Sequence, residues 1–362
     1  MIEVENLSKN YDEKEALKDI CFGVKKREIF AIIGPSGAGK TTLLRIIDLL
    51  DTPCRGRILF DGVDVNQRRK VEIRRRMAMV FQGAPLMNTT VFENVAYGLK
   101  IRKVPSEEIE KRVKTALELV DLEGYEDRNA RTLSGGEAQR VAFAMATVIQ
   151  PDVLLMDEPT ANLDPINETL VEEIIRRINK LGITVILATH KQTEAMRLAH
   201  RVAVLNKGRI EQIGTPEEIF RKPKTLFVAR FVGTMNIFRG TVVETDGKRG
   251  KSVIEFNNHR IELLSRDAEL GAEVYFCIRP EEIMLLREDR PVTPRHTNIL
   301  NAEITDFHPL GSAMFRLDVK VSEDLSLVVD VPRHVMEKMH LGGGRKLRVS
   351  LKASSCHIIE GA

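Results

Sequence analysis

Long apolar runs are missing from this chain of 362 residues. A membrane-spanning helix needs about 20 consecutive apolar residues, and the run from Val141 to Ile149 stops at Gln150-Pro151. Any task at a membrane therefore calls for a separate, membrane-embedded partner. The chain starts on the strand-like Ile2-Glu3-Val4, so no secretory leader is expected. Cysteine is scarce as well. Cys21, Cys54, Cys277 and Cys356 follow neither metal-ligand spacing nor a disulfide framework, which points to a reducing cytoplasm. An excess of one charge is also absent: 55 Lys and Arg face 52 Asp and Glu, for a net charge of +3. That balance argues against nucleic acid as a partner, because such domains usually carry a clear basic excess. The short clusters Arg68-Arg69-Lys70 and Arg74-Arg75-Arg76 read as solvated faces.

What is present is alternation. Up to about Leu205, short β-rich runs (Ile29–Ile33, Met77–Phe81, Val153–Met156, Ile183–Ala188, Val202–Leu205) alternate with helical periodicity such as Ile109, Val113, Ala116, Leu117 and Val120. That pattern predicts an α/β domain built on a mostly parallel sheet. Ile2–Leu7 and Ile20–Val24 read as strands of a small separate sheet. Thr215-Pro216-Glu217-Glu218 through Phe231 reads as a capped helix and a helical tether. From about Ile237, two groups of short strands separated by Gly, Asn and Asp turns predict an all-β domain made of two similar barrels. The length accommodates such a division into two or three domains.

Gly34-Pro35-Ser36-Gly37-Ala38-Gly39-Lys40-Thr41 joins the run Ile29–Ile33 to the helix-like Thr42-Leu43-Leu44-Arg45-Ile46-Ile47. Strand, glycine loop and helix in that order make a phosphate cradle. The glycines let successive N–H groups curl inward around an anion, and the helix adds its positive end. Lys40 would reach the β- and γ-phosphates, and the Thr41 hydroxyl would hold Mg²⁺. Val153-Leu154-Leu155-Met156 ends in two carboxylates. Asp157 would bind Mg²⁺, and Glu158 would polarise the water that attacks the γ-phosphate.

Leu133-Ser134-Gly135-Gly136-Glu137, followed by Ala138-Gln139-Arg140, resembles the signature motif of ABC-transporter ATPases. Ser134 and two glycines at a helix start form a second anion-binding surface, and they also read as an ordinary capping box with Glu137. The resemblance implies an ATPase domain over about residues 1–235, with an N-terminal antiparallel sheet and a helical subdomain at about 83–150. It implies a head-to-tail homodimer in which Ser134, Gly135, Gly136, Glu137 and Asp164 complete the partner's ATP site. Gln82 resembles the glutamine that touches Mg²⁺ and the attacking water. His190 resembles the switch histidine near the γ-phosphate, and Tyr11 the aromatic that stacks on adenine. Pro35, Ser36, Ala38 and Thr42 complete the implied ATP contacts. One departure is Met145, where the family commonly has an arginine; altered subdomain packing is expected there, without lost hydrolysis.

The tail resembles the family as well. Arg279-Pro280-Glu281-Glu282-Ile283 resembles the landmark of TOBE-type domains behind importer ATPases, and Leu351-Lys352-Ala353-Ser354-Ser355 is similar to the ending of molybdate-binding barrels. Residues 236–362 are thus expected to form a TOBE/molbindin-like, OB-like double barrel. Lys352, Ser354, Ser355 and Asn298 are its implied oxyanion residues; Asn298 is what remains of a four-residue landmark that reads Arg295-His296-Thr297-Asn298 here. The resemblance implies an importer ATPase using ATP and Mg²⁺ at the cytoplasmic face of the membrane. Its partners would be two permease subunits and an extracytoplasmic substrate-binding protein. Molybdate or tungstate is the leading cargo, and either anion could also regulate through the tail. Sulfate, polyamine, sugar or ferric iron are alternatives that keep the same chemistry. A non-transport ABC ATPase is the alternative of another class, but this chain has one cassette and no sustained heptads.

Overall fold

The apolar runs become strands of one sheet, and their alternate residues face different cores. The computed structural model describes residues 1–65, 70–83, 85–247, 250–265, 268–286, 293 and 297–359. Arg68, Arg69, Arg295 and His296 lie outside those residues. The chain divides into two compact units, Met1–Glu217 and Glu218–Ala362, so most of the tether belongs with the second.

In the first unit, β1 (Ile2–Tyr11), β2 (Lys14–Val24), β4 (Arg55–Phe60) and β5 (Val63–Asp64) form an antiparallel sheet in the order β2-β1-β4-β5. The central sheet contains β3 (Ile29–Ile33), β6 (Met77–Val80), β7 (Val153–Asp157), β8 (Thr184–Thr189) and β9 (Arg201–Asn206). These run parallel in the order β9-β3-β8-β7-β6, and β10 (Arg209–Gly214) pairs antiparallel with β9. Every residue of β3, β7 and β8 is buried, as expected for a parallel sheet covered on both faces.

The helices of this unit are α1 (Lys40–Ile47), α2 (Lys70–Arg74), α3 (Val91–Ile101), α4 (Ser106–Leu119), α5 (Gly135–Thr147), α6 (Pro165–Lys180) and α7 (Gln192–Leu198). Strand side chains alternate between faces. Leu154, Met156, Val185 and Leu187 pack with α3, α4, α5 and α6. Val153, Leu155, Ile186 and Ala188 pack with α1 and the antiparallel sheet. The helical stripe anticipated on α4 is buried: Ile109, Val113, Ala116 and Leu117 all face the first of these cores. Met145 packs against the same core, half-buried, with no charge to satisfy there.

The second unit opens with most of α8 (Pro216–Arg221) and with α9 (Leu226–Phe231). It is antiparallel throughout. One sheet takes β11 (Asn236–Asp246), β12 (Lys251–Phe256), β13 (His259–Leu264), β14 (Glu273–Ile278) and β20 (His357–Ile359). The other takes β15 (Ile283–Leu286), β16 (Ile299–Leu310), β17 (Met314–Lys320), β18 (Ser326–Pro332) and β19 (Lys346–Leu351). The two sheets share one apolar core. They are not two consecutive halves of the sequence, because β20 returns from the end of the chain to pair with β14.

Asn298 has a structural task in this unit. Its Nδ2 donates to the Glu262 carbonyl at 2.6 Å and the Leu351 carbonyl at 2.9 Å, and its Oδ1 accepts from the Glu262 N–H at 2.7 Å. Both amide hydrogens are thereby committed to backbone. Removing the side chain leaves those groups unpartnered, at a cost of about 2 kcal/mol. We expect Asn298→Ala to speed hydrogen exchange at the Glu262 amide roughly 30-fold, measured by exchange mass spectrometry. An unchanged rate would show that other contacts hold this corner.

Candidate functional site

The glycine loop is shaped by close backbone packing. A Cβ on Gly34 would collide with the Leu205 carbonyl oxygen at the end of β9. Gly39 has φ 109° and would place a Cβ 2.7 Å from the Ala16 carbonyl of β2. Neither position accepts a side chain, so the loop lies against its strands before α1 begins. Lys40 is buried, and its ammonium donates to the Gly34 and Pro35 carbonyls at 2.8 and 3.2 Å.

A cleft of about 590 Å³ opens beside this loop. Tyr11, Ser36, Gly37, Gly39, Lys40, Thr41, Thr42, Gln82, Glu158 and His190 all line it. The fold thus gathers residues from five separate stretches around one space. Glu158 Oε1 is 3.7 Å from the Lys40 ammonium, and Glu158 Oε2 is 2.8 Å from His190 Nδ1. Glu158 has φ 50°, a left-handed conformation uncommon for a residue with a Cβ and one that clusters at functional sites.

Asp157 is buried, and burial raises its carboxyl above the usual carboxylate range. The neighbouring Glu158 charge pushes the same way, while Thr41 and Lys40 oppose it. Its Oδ1 has no hydrogen-bond partner. A buried carboxylate oxygen left unpaired beside a threonine hydroxyl suits a hard cation with oxygen ligands, so Asp157, Thr41 and Gln82 fit Mg²⁺. No cluster of three or more His, Cys, Asp or Glu side chains forms a metal cage among the described residues.

Tyr11 sits at the rim, 44% exposed, and bonds through its hydroxyl to the Asp51 carboxylate. The Lys9 ammonium lies 4.8 Å from its ring centroid. Lys9 and then Tyr11 hold the Asp51 carboxyl down at about 2. The sequence did not reveal Asp51, which lies 40 positions from Tyr11. Lys14, Lys18 and Lys207 at the cleft were also not anticipated. Lys207 arrives only because the turn after β9 folds against β2, where Gly208 accepts from the Lys18 N–H at 2.8 Å.

Ser134, Gly135, Gly136, Glu137 and Asp164 do not line this cleft. Ser134 caps α5 in a reciprocal box: its hydroxyl accepts from the Glu137 N–H at 3.3 Å, and Glu137 Oε2 accepts from the Ser134 N–H at 2.8 Å. The Tyr125 hydroxyl fixes the other Glu137 oxygen at 2.9 Å. Asp164 caps α6. In the second unit, Lys352 and Ser355 are half-buried and Ser354 is exposed on the turn after β19.

Glu194 is a further buried carboxyl, on α7 behind His190. Burial pushes it up to about 6; the Thr189 and Thr160 hydroxyls and Lys191 draw it down, and Glu158 pushes it up further. A raised carboxyl favours the protonated folded state, so stability is fullest below the unfolded value of 4.5 and falls as pH rises through 6. Glu194→Gln removes that penalty. We expect the variant to be more stable than the parent by about 2 kcal/mol at pH 8, with the gap closing toward pH 4.5. Thermal melts across that range check the sign; a gap independent of pH would contradict it.

Comparison with known proteins places this arrangement. Residues 17–161 match the ABC transporter family, and residues 296–358 match the TOBE domain. The spermidine/putrescine import ATP-binding protein of Clostridium novyi is 39% identical, over 80% of this chain and 82% of its own length. The molybdate/tungstate import ATP-binding protein of Pyrococcus abyssi is 38% identical, over 99% of this chain and 100% of its own. A dimeric post-hydrolysis structure of an ATP-binding cassette, bound to ADP and Pi, superposes with TM-score 0.55 at 32% identity, over 60% of this chain and 99% of that one. With its glycine-loop cleft in an α/β unit and an antiparallel TOBE unit later in the chain, the chain belongs to the ABC transporter ATP-binding proteins and is an ABC transporter ATPase.

Proposed function

We propose that this ATPase powers the import of molybdate or tungstate as half of a head-to-tail homodimer on two permease subunits at the cytoplasmic face of the membrane. The observation that carries the cargo is extent. The molybdate/tungstate relative aligns through the whole tail, over 99% of this chain, whereas the spermidine/putrescine relative aligns over 80%. An extracytoplasmic binding protein would deliver the anion to the permeases. The stretch from Gly83 to Val95, which leads into α3, is the face we assign to them.

The loop from Gly34 to Thr41 binds the phosphates through backbone N–H groups and Lys40, with Thr42 beside it and Tyr11 at the base. Mg²⁺, held by Thr41, Gln82 and Asp157, supplies charge neutralisation on the phosphates. Glu158 accepts the proton of the attacking water. His190 holds one oxygen of that carboxylate, which leaves the other facing Lys40 and the phosphates. Ser134, Gly135, Gly136 and Asp164 face the partner's ATP, with Glu137 bracing the Ser134 cap. Gly135 supports this assignment. A Cβ there would meet nothing within 4 Å among the described residues. Among the described residues the face of α5 at Gly135 is therefore open, which leaves room there for a partner.

In the tail, Lys352, Ser354 and Ser355 are the residues offered to a regulatory oxyanion, with Asn298 holding the strands behind them. Two measurements test the whole reading. Glu158→Gln should slow turnover by 10²-fold or more while trapping an ATP-bound dimer, seen by sedimentation; undiminished turnover would remove Glu158 from its role. In the transporter reconstituted with its permeases and binding protein, tungstate should stimulate ATPase activity and spermidine should not. The opposite outcome assigns the cargo to the polyamine class.

A further inference from the structure

The first turn of α6 touches two functional loops through adjacent residues. Asp164 Oδ1 accepts from the N–H groups of Ile166 and Asn167 at 3.0 and 3.1 Å, and Asn167 Nδ2 donates to Asp164 Oδ2 at 2.5 Å. The Asn167 side chain therefore lies back over the helix start instead of reaching into solvent. There it meets the start of α5. A Cβ on Gly136 would come within 2.5 Å of Asn167 Cγ, and the three nearest atoms to that position all belong to the Asn167 side chain. A side chain at Gly136 would therefore require Asn167 to shift. Gly135 beside it has no such neighbour.

The same turn is anchored on its other side. Glu168 pairs with the Lys191 ammonium, which also donates to the Thr160 carbonyl at 2.9 Å. The Lys191 N–H donates to Thr189 Oγ1 at 3.0 Å, and Lys191 follows His190 directly. Asn167 thus presses on the signature turn from a base already tied to the His190 loop.

We infer that Asn167 is a positioning residue: seated against Gly136 and held by Asp164, it sets the Ser134–Gly136 turn at the angle needed to meet the partner's ATP. This rests on the head-to-tail reading above. Asn167 lies outside the cleft, so removing it should spare nucleotide binding by a single subunit and weaken only the closing of two. The background is Glu158→Gln, where ATP holds the dimer. Asn167→Ala in that background should raise the ATP concentration for half-maximal dimerisation about tenfold, the scale of one lost polar contact. Binding of a fluorescent ATP analogue to the monomer should stay within about twofold of the parent.

Gly136→Ala separates positioning from general instability. Alone it should be worse than Asn167→Ala. Combined with Asn167→Ala, which removes the atoms it would strike, it should return to the level of Asn167→Ala. Unchanged dimerisation in Asn167→Ala would overturn the inference, as would a double variant no better than Gly136→Ala alone. A parallel loss of monomer nucleotide binding would also overturn it, by making Asn167 a fold residue. If the Glu158→Gln parent itself fails to dimerise with ATP, it is the head-to-tail reading that falls.

Discussion

The site depends on backbone packed against backbone with no side chain between. Gly34 lies against the Leu205 carbonyl and Gly39 against the Ala16 carbonyl. Those two contacts pin the phosphate loop between the end of β9 and the start of β2. Lys40, Thr41 and Thr42 take their direction from that seat, because α1 starts where the loop leaves it. The sheet then supplies the opposing wall: β7 ends at Asp157, and β8 ends just before His190. A side chain at either glycine would displace the loop relative to both strands, and every distance between cation and carboxylate in the cleft would change with it.

Electrostatics divides the carboxylates of the site by burial. Asp157 is enclosed and raised, and its Oδ1 lacks a hydrogen-bond partner among the described residues. Glu158 is held between an ammonium and an imidazole. Glu194, buried on α7, is raised by the same desolvation. Asp51, near the surface, is lowered instead by Lys9 and Tyr11. One short segment of chain thus carries neighbouring acids, Asp157 and Glu158, in different surroundings and suited to different tasks.

Much of this was legible in the sequence because it is local. Buried parallel strands are written as unbroken apolar runs, and β3, β7 and β8 fall within a residue or so of the runs that announce them. The glycine loop and the capping box at Ser134 are contiguous patterns, each read from neighbouring residues. What stayed hidden is non-local. Asp51 meets Tyr11, Asn167 meets Gly136, and β20 returns to β14 across most of the second unit. No periodicity encodes such meetings, since each depends on where the whole fold brings two distant segments. Asn298 shows a related effect: one kept residue of a landmark reads as a ligand contact in sequence, while its amide is committed to strand backbone.

The alternation along β7 has an evolutionary consequence. Leu154 and Met156 belong to the helical core, and Val153 and Leu155 to the core beneath the antiparallel sheet. Neighbouring positions of one strand therefore answer to different demands. The helical layer can be repacked through the even positions alone. The odd positions, packed against α1 and the antiparallel sheet, can stay as they are. One face of such a sheet can diversify while the other stands still.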